Sequence, residues 1–432
     1  MIETAVEQSR FAEFIDGLLL EAVHNGLTSF HQILLSLPGV YPSTAIASLE
    51  RLASRDKIPE KVLLDAVKLT SDRQCKQMTP ESSGSGTIGR VVLPVPHPLD
   101  FDWRFGDKAT DHLLGRCLEL TDAEDCVVLL GTPSILARAI ERDFPRKMVL
   151  FEGNPAVTDS LTRLAPEGSV FNCDLTGDEL PQISAKLVIC DSPWYMEYVK
   201  SFLWSARELC ATDGYLLLST TPAGTRPNVS GEWAMILEWA DRLGFRLLSV
   251  ECGVLPYISP PFERNALKAE GLHNIPGEWR SSNLALFVLR HKARIPRPPE
   301  CLRDRSWREE VFQDVRIRIR EDRDAAGPED PTLKTIVPGD ILPSVSRWDD
   351  RRRLVDVWTS GNRVFRCDNP GLLCLILRSI ACDQSPKKKL TGCLGRTLTL
   401  AETELVAKAS EQIINIINVE KNEYVSYWEE VS

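Results

Sequence analysis

The residues with the clearest capacity for chemistry stand where an apolar run ends. Residues 187–195 read LVICDSPWY, so Asp191 closes the run and Pro193, Trp194 and Tyr195 follow it. A short apolar run of this kind is typical of a buried strand. The ligands of open α/β sheets bind beyond the carboxyl ends of the strands. This turn is therefore the centre of the candidate site.

Acidic residues also end two other apolar runs. Glu152 closes KMVLFE, and Asp174 closes SVFNCD. An acid after a second strand can accept hydrogen bonds from both hydroxyls of a ribose, and an acid after a third strand suits the amino group of adenine. Together with Asp191, these acids predict a nucleoside-containing cofactor. The alternative is that each acid caps the helix that follows it.

The loop after CVVLL, residues 126–130, supplies further cofactor candidates. It reads Gly131-Thr132-Pro133-Ser134, and Asn154 follows Glu152 at the corresponding place one strand later. The predicted cofactor-binding residues are Gly131, Pro133, Ser134, Glu152, Asn154 and Asp174.

The order of these features resembles the class I S-adenosylmethionine-dependent methyltransferases. Asp191-Ser192-Pro193-Trp194 is similar to the D-P-P-[YFW] motif of the amino-group enzymes. In that family the acid and a backbone carbonyl hold the target amine, while the aromatic ring packs over the acceptor or the methyl group. The resemblance implies S-adenosylmethionine as cofactor and catalytic roles for Asp191, Pro193, Trp194 and Tyr195. It extends over residues 110–292.

Two departures from that pattern leave alternatives. Only Gly131 remains of the family's glycine-rich loop, and Ser192 replaces the first proline of the motif. The result is similar to lysine methyltransferases of translation elongation factors and to branched-chain polyamine synthases, which transfer aminopropyl groups from decarboxylated S-adenosylmethionine. The acidic loop of the polyamine enzymes is missing here. The resemblance favours N-methyl transfer to an amine of a protein, nucleic acid or small molecule. Aminopropyl transfer and a non-catalytic binding or assembly subunit are the alternatives.

A long excursion between the last two predicted strands, residues 253–283, holds the substrate candidates. Insertions of this length usually carry function or form a lid. The predicted contacts are Tyr257, Phe262, Glu263, Trp279 and Arg280, with a covering flap of core aromatics as the alternative. Arg226, after the fifth predicted strand, could meet an anionic group.

The elements that must position these residues alternate between strand and helix from about residue 110 to 292. Such alternation predicts a mainly parallel sheet covered on both faces. The predicted fold is α/β, a Rossmann-like methyltransferase sheet flanked by a winged-helix-like helical domain and a C-terminal helical region. The predicted segments are 1–76 (helical, winged-helix-like), 77–100 (linker), 101–292 (methyltransferase-like), 293–365 (Pro- and charge-rich, with some β-structure) and 366–432 (helical).

Three further motifs lie outside the predicted sheet. Gly84, Gly86 and Gly89 spell G-x-G-x-x-G, but that fingerprint must follow a strand and open a helix, so we reject it. DVRIRIRE, residues 314–321, alternates strictly and predicts a strand with one solvated face. Thr399 and Glu402 form a capping box before a long helix.

Composition limits the classes of protein and partner. The net charge is −10, and residues 1–80 hold 8 Lys+Arg against 10 Asp+Glu. A DNA reader normally carries a basic face, so protein contacts through the N- and C-terminal helical regions are favoured over DNA binding. The 12 cysteines include no C-x-x-C pair, which favours buried thiols in a cytoplasmic protein over a metal site. No apolar stretch approaches the roughly 20 residues of a membrane span, and the N-terminus does not resemble a signal peptide.

Overall fold

The computed structural model describes residues 2–71, 91–301, 307–312, 314–321 and 330–431. The predicted linker spans residues 77–100. Residues 77–90, with Gly84, Gly86 and Gly89, lie outside the described residues, whereas residues 91–100 are described and include the buried side chains of Leu93, Val95 and His97. The chain divides into two compact units. The first comprises Met1–Pro94, Trp103–Ser259 and Leu272–Cys301, and the second comprises Val95–Asp102, Pro260–Gly271 and Leu302–Ser432.

The first unit begins with four helices. They are α1 (Ile2–His24), α2 (Phe30–Ser36), α3 (Pro42–Ala53) and α4 (Glu60–Ser71). Helix α2 begins where the Ser29 hydroxyl accepts a hydrogen bond from the Gln32 amide, and α3 begins at Pro42, whose fixed φ suits a first helical position. The predicted helices are therefore present. Between residues 2 and 71 the structure assigns no strand, so the winged-helix likeness stays a prediction.

An eight-stranded sheet forms the centre of the first unit. Its strands are β1 (Arg104–Phe105), β2 (Cys126–Leu130), β3 (Lys147–Glu152), β4 (Val170–Asn172), β5 (Ala185–Cys190), β6 (Cys210–Thr220), β7 (Phe245–Ile258) and β8 (Ser281–Leu289). Their order is β1-β7-β8-β6-β5-β2-β3-β4. Strands β2 to β6 pair in parallel, and β8 lies antiparallel between β6 and β7. This arrangement confirms the predicted Rossmann-like sheet of mainly parallel strands.

Helices cover both faces of this sheet, which explains the continuous apolar runs of its strands. The helices are α5 (Asp107–Leu120), α6 (Pro133–Glu141), α7 (Pro155–Thr162), α8 (Met196–Leu209) and α9 (Val229–Leu243). In β2, Val128 and Leu130 join one buried cluster, whereas Val127 and Leu129 join the other. Both faces of the strand are therefore core, so the strand ends are the places left for polar side chains.

The second unit combines a five-stranded antiparallel sheet with helices. Its elements are α10 (Pro261–Ala269), β9 (Trp307–Phe312), β10 (Val315–Arg320), β11 (Lys334–Thr335), β12 (Val357–Thr359), β13 (Val364–Arg366), α11 (Pro370–Ala381), α12 (Pro386–Leu394), α13 (Leu400–Glu423) and α14 (Val425–Val431). The strand order is β11-β13-β12-β10-β9. Helix α13 begins at the capping box of Thr399 and Glu402, which confirms that prediction.

The prediction of a solvated polar face on β10 is wrong. Arg316 is fully buried, and its guanidinium lies 2.7 Å from an Asp100 oxygen and 2.9 Å from a Glu309 oxygen. Arg318 pairs with the same two carboxylates at 2.6 and 2.9 Å. The arginine face of the strand is therefore covered by a segment distant in sequence, residues 95–102, which carries Asp100.

Among the residues that the structure describes, no helix combines the length and the apolar character that crossing a membrane would need. Within the same residues, no group of three His, Cys, Asp or Glu side chains is placed to hold a metal ion.

Candidate active site

Asp191 lies directly beyond β5, in the middle of the large sheet. Its backbone amide donates to the carbonyl of Leu130 at 3.1 Å, so the ends of β5 and β2 are fixed side by side. The Tyr257 hydroxyl donates to Asp191 Oδ1 at 2.8 Å. The hydroxyl of Ser219, at the end of β6, lies 2.8 Å from the Tyr257 hydroxyl. Three strands therefore hold one carboxyl group in place.

The surroundings of Asp191 change its ionisation. Burial raises the pKa of Asp191 to about 7, against the opposing effect of the hydrogen bonds from Ser219 and Tyr257. Burial also raises the pKa of the Tyr257 phenol well above its ordinary value, so Tyr257 remains a neutral donor. A carboxyl group with a pKa near neutrality, held by neutral donors, can exchange a proton under ordinary conditions.

The aromatic turn after Asp191 is anchored through its backbone. The Tyr195 amide donates to the Pro193 carbonyl at 2.7 Å, and α8 follows at once. The ring of Trp194 meets Tyr257 edge to face, with 5.8 Å between centroids. The carbonyl of Trp194 accepts a hydrogen bond of 2.6 Å from the Arg226 guanidinium. The turn therefore packs the half-buried indole of Trp194 against Tyr257, whose hydroxyl donates to the carboxyl group of Asp191.

The loop after β2 comes close to the same turn. Gly131 has φ +65°, and a Cβ at this position would lie 2.9 Å from the carbonyl oxygen of Asp191 and 3.1 Å from the ring of Phe202. The glycine therefore permits a backbone approach that a side chain would block. Within the described residues, the buried hydroxyls of Thr132 and Ser192, on the two adjoining loops, form no hydrogen bond. Buried hydroxyls in native proteins usually bond to protein or to ordered water, so these two are available to a bound molecule or a water.

The two acids predicted to bind the cofactor are Glu152, the last residue of β3, and Asp174, which follows β4. Glu152 Oε1 accepts from the Asn154 amide at 2.9 Å, and Asn154 caps α7 through its side chain. Asp174 Oδ1 accepts from the amide and the hydroxyl of Thr176 at 2.9 and 2.8 Å. Neither acid caps the helix that follows it, because Asn154 is the N-cap of α7 and the next helix after Asp174 begins only at Met196. The capping alternative is therefore wrong for these two acids. A carboxylate offers about four acceptor positions, so these turn bonds are compatible with a ribose or adenine contact.

Arg280 lies among three indole rings next to the same turn. Its guanidinium carbon lies 4.5 Å from the ring centroid of Trp279, 5.7 Å from that of Trp103 and 5.8 Å from that of Trp194. The carbonyl of Arg280 accepts from the Tyr257 amide at 2.8 Å. Indole faces attract guanidinium groups, so this side of the turn carries a buried positive charge.

The structure divides the predicted substrate contacts between the two units. Tyr257, Trp279, Arg280 and Arg226 lie around the turn at Asp191, as the distances above show. Phe262 and Glu263 belong to α10 of the second unit, where both side chains are fully buried. Their substrate role stays a prediction.

Sequence reasoning missed several neighbours of Asp191. Ser219 belongs to the polar pair that ends the apolar run LLLST, so the rule that selected Asp191 could have found it. Phe105 stacks on Tyr257 with 4.7 Å between centroids. No local signal marks Phe105 or Trp103, because β1 reaches Tyr257 only through its antiparallel pairing with β7.

Comparison with known proteins gives likenesses in structure. No family model and no curated protein matches the chain. A mutein of the branched-chain polyamine synthase from Thermus thermophilus, in complex with N4-aminopropylspermidine and 5'-methylthioadenosine, is similar with a TM-score of 0.49 and 14% identity. The match covers 68% of this chain and 96% of the synthase chain. A putative RNA methyltransferase from Pyrococcus horikoshii is similar with a TM-score of 0.34 and 17% identity, covering 46% of this chain and 93% of that chain.

Proposed function

We propose that the first unit is a transferase that moves the methyl group of S-adenosylmethionine to an amine. The observation that carries the proposal is the convergence of Asp191, Trp194 and Gly131 at the adjoining ends of β5 and β2. There, the Asp191 carboxyl group, whose pKa is raised to about 7, accepts a hydrogen bond from Tyr257, which packs against the half-buried indole of Trp194. Gly131 lets the backbone of the neighbouring loop approach the carbonyl of Asp191 closely. The motif resemblance described from the sequence supports the same chemistry.

The residues around Gly131 fit an S-adenosyl donor. The buried hydroxyls of Thr132 and Ser192, which form no hydrogen bond among the described residues, suit polar groups of such a molecule. Glu152 would hold the ribose hydroxyls and Asp174 the adenine edge, because they stand at the next two strand ends. When bound, the donor supplies a methyl group on a positively charged sulfur.

The acceptor amine would lie between Asp191 and Trp194. An ionised Asp191 accepts a hydrogen bond from the amine N–H and directs the nitrogen lone pair away from the carboxylate. Tyr257 fixes the carboxylate through its donated hydrogen bond, so orientation is set before the amine binds. The indole face of Trp194 favours the positive charge that develops on the nitrogen.

The charges near Trp194 favour methyl transfer over aminopropyl transfer to a polyamine. Arg280 lies within 5.8 Å of the Trp194 ring and is the charge that matters here, whereas the charge of Arg226, which donates to the Trp194 carbonyl, is compensated by Glu232 at 2.6 Å. A polyamine carries several positive charges at neutral pH, and like charges in a partly buried site repel one another. An amine without further positive charges fits this environment better.

Calorimetry with S-adenosylmethionine and S-adenosylhomocysteine tests the cofactor assignment. We expect both to bind wild-type protein, and Glu152→Ala to weaken the affinity at least tenfold through lost ribose contacts. Absence of binding of both ligands at millimolar concentration would favour the non-catalytic alternative. Mass spectrometry of products separates the two transfers, since methyl and aminopropyl groups add different masses.

We also propose a protein partner for the helical regions of a cytoplasmic protein. Exposed apolar side chains on these helices, such as Leu64 (58% exposed) and Leu400 (77% exposed), support this proposal.

A further inference from the structure

The loop between α2 and α3 packs against the loop that follows β6 and against strand β7, both of which contribute residues to the candidate acceptor site. A Cβ on Gly39 (φ +80°) would overlap Thr225 Oγ1, and a Cβ on Gly224 would lie 2.5 Å from Val40 Cγ2. On the other side of the loop, a Cβ on Gly253 would lie 3.0 Å from Pro38 Cγ. Glycines on both sides of the contact thus let the two backbones approach closely. The N-terminal helices are joined to the sheet by a tight contact at this point.

The last residue of this loop contacts one of the indoles around Arg280. The ring of Tyr41 meets Trp279 edge to face, with 5.5 Å between centroids and an angle of 83°. Trp279 in turn lies 4.5 Å from the guanidinium of Arg280, which also faces Trp194. A continuous series of ring and cation contacts therefore leads from the N-terminal helices to the turn after Asp191.

Packing alone holds the central member of this series. Trp279 is 1% exposed, and within the described residues its indole N–H forms no hydrogen bond. With no polar contact to fix its orientation, the ring depends on the surfaces around it. Edge-to-face aromatic pairs favour one relative orientation, so Tyr41 restricts how Trp279 can turn.

We propose that Tyr41 is a positioning residue of the acceptor side, acting through Trp279 and Arg280 on Trp194. The N-terminal helices are then part of the site. The contact between Tyr41 and Trp279 affects how the acceptor is held, and it does not affect the residues that bind the cofactor. The kinetic part of this proposal rests on the proposed methyltransferase function, and the structural part does not.

Fluorine NMR of protein labelled with 5-fluorotryptophan tests the structural part. The chain contains 10 tryptophans, and Trp194→Phe and Trp279→Phe assign the two resonances of interest. We expect Tyr41→Ala to shift both resonances by more than their line widths, while Tyr41→Phe, which keeps the ring, leaves both in place. Leu35→Ala is the matched control, because Leu35 lies on α2 and is 47% exposed. A shift of Trp279 with an unchanged Trp194 would overturn the proposal.

A kinetic measurement tests the consequence for the acceptor. With methyl-labelled S-adenosylmethionine and n-butylamine as the amine probe, we expect Tyr41→Ala to raise the KM for the amine about tenfold. The affinity for S-adenosylhomocysteine should stay within about threefold, and Tyr41→Phe should restore the wild-type KM. If Tyr41→Ala weakened amine binding and S-adenosylhomocysteine binding by the same factor, the contact would be merely structural and the proposal would be overturned. If Tyr41→Ala fails to fold, Tyr41→Leu keeps apolar volume without the ring and takes its place in both measurements.

Failure of the proposed function gives a different result. Wild-type protein would then bind no S-adenosylhomocysteine, whereas the coupled shifts of Trp279 and Trp194 would remain. The fluorine experiment therefore decides the positioning role in either case.

Discussion

Each unit holds a half-buried carboxyl group, and the surroundings shift the pKa values of the two groups in opposite directions. Asp100, in the second unit, lies between Arg316 and Arg318. Although burial alone would raise it, these guanidinium groups hold the pKa of Asp100 well below its ordinary value. Asp191, in the first unit, accepts hydrogen bonds from neutral hydroxyl groups, and burial raises its pKa to about 7.

The difference separates a structural carboxylate from a chemically active one. An acid paired with two arginines has its pKa held low, so it is ionised at neutral pH and holds its neighbours together. A buried acid with neutral donors changes its charge near neutral pH. Perturbed groups of the second kind are the ones that cluster at functional sites.

The largest effect is expected from breaking the cluster of the second unit. Arg316→Met leaves Asp100 and Glu309 with one fewer positive partner in a buried place. Removing one member of a buried ion pair costs about 3–5 kcal/mol, and urea unfolding measures the loss. Arg353→Met is the control, since its side chain is 84% exposed. A loss below about 1 kcal/mol for Arg316→Met would show that the cluster is not a structural requirement.

The corresponding change in the first unit should affect activity. Asp191→Asn removes the charge that holds the amine, so turnover should fall by about 10²–10³-fold, as for other preorganised electrostatic contacts. Affinity for S-adenosylhomocysteine should stay within a few-fold. Asp213→Asn, an exposed acid of the same unit, should leave both unchanged. A variant that loses cofactor affinity and turnover together would contradict the separate roles of Asp191 and Glu152.

The two carboxyl groups should also give stability opposite pH dependence. Between about pH 4 and 7, native Asp191 keeps a proton that the unfolded chain has lost, so its contribution to stability falls as the pH rises. Asp191→Asn should therefore raise the free energy of unfolding by about 1–3 kcal/mol at pH 8 and by less at pH 5. Asp100 acts in the reverse sense, because its contribution is present above about pH 4 and is lost as the pH falls. Equal effects of Asp191→Asn at both pH values would mean that Asp191 is ionised throughout.

The smallest effect is expected from removing the hydroxyl group of Tyr257, which donates a hydrogen bond to Asp191. Turnover should rise with pH through about 7, because the amine is held by the ionised carboxylate. Tyr257→Phe removes a hydrogen bond that favours the charged form, which raises the pKa of Asp191 further. The pH–rate profile should therefore move upward by about one unit. The plateau should fall only modestly, because Ser219 also hydrogen-bonds to Asp191 and still helps to orient it. A profile that keeps its midpoint would assign the titration to another group.

Most of the large sheet could be predicted from the sequence. Its parallel strands are covered on both faces, so each appears as a continuous apolar run that needs no distant partner to be recognised. The same rule located Asp191, Glu152 and Asp174, because an acid after such a run has to stand at a strand end. The capping box at Thr399 and Glu402 is equally local, since its two hydrogen bonds join residues three apart.

The tertiary structure decided which distant segments meet. The alternation of β10 is the same whether its arginines face water or carboxylates, so only the position of Asp100 could show that Arg316 is buried. Strands as short as β11, β12 and β13 have too few residues to show a period. Tyr257 reaches Asp191 across 66 positions of the chain, and Tyr41 reaches Trp279 from the N-terminal helices. Local patterns record which face of an element is apolar, whereas the partner of a polar side chain depends on long-range packing.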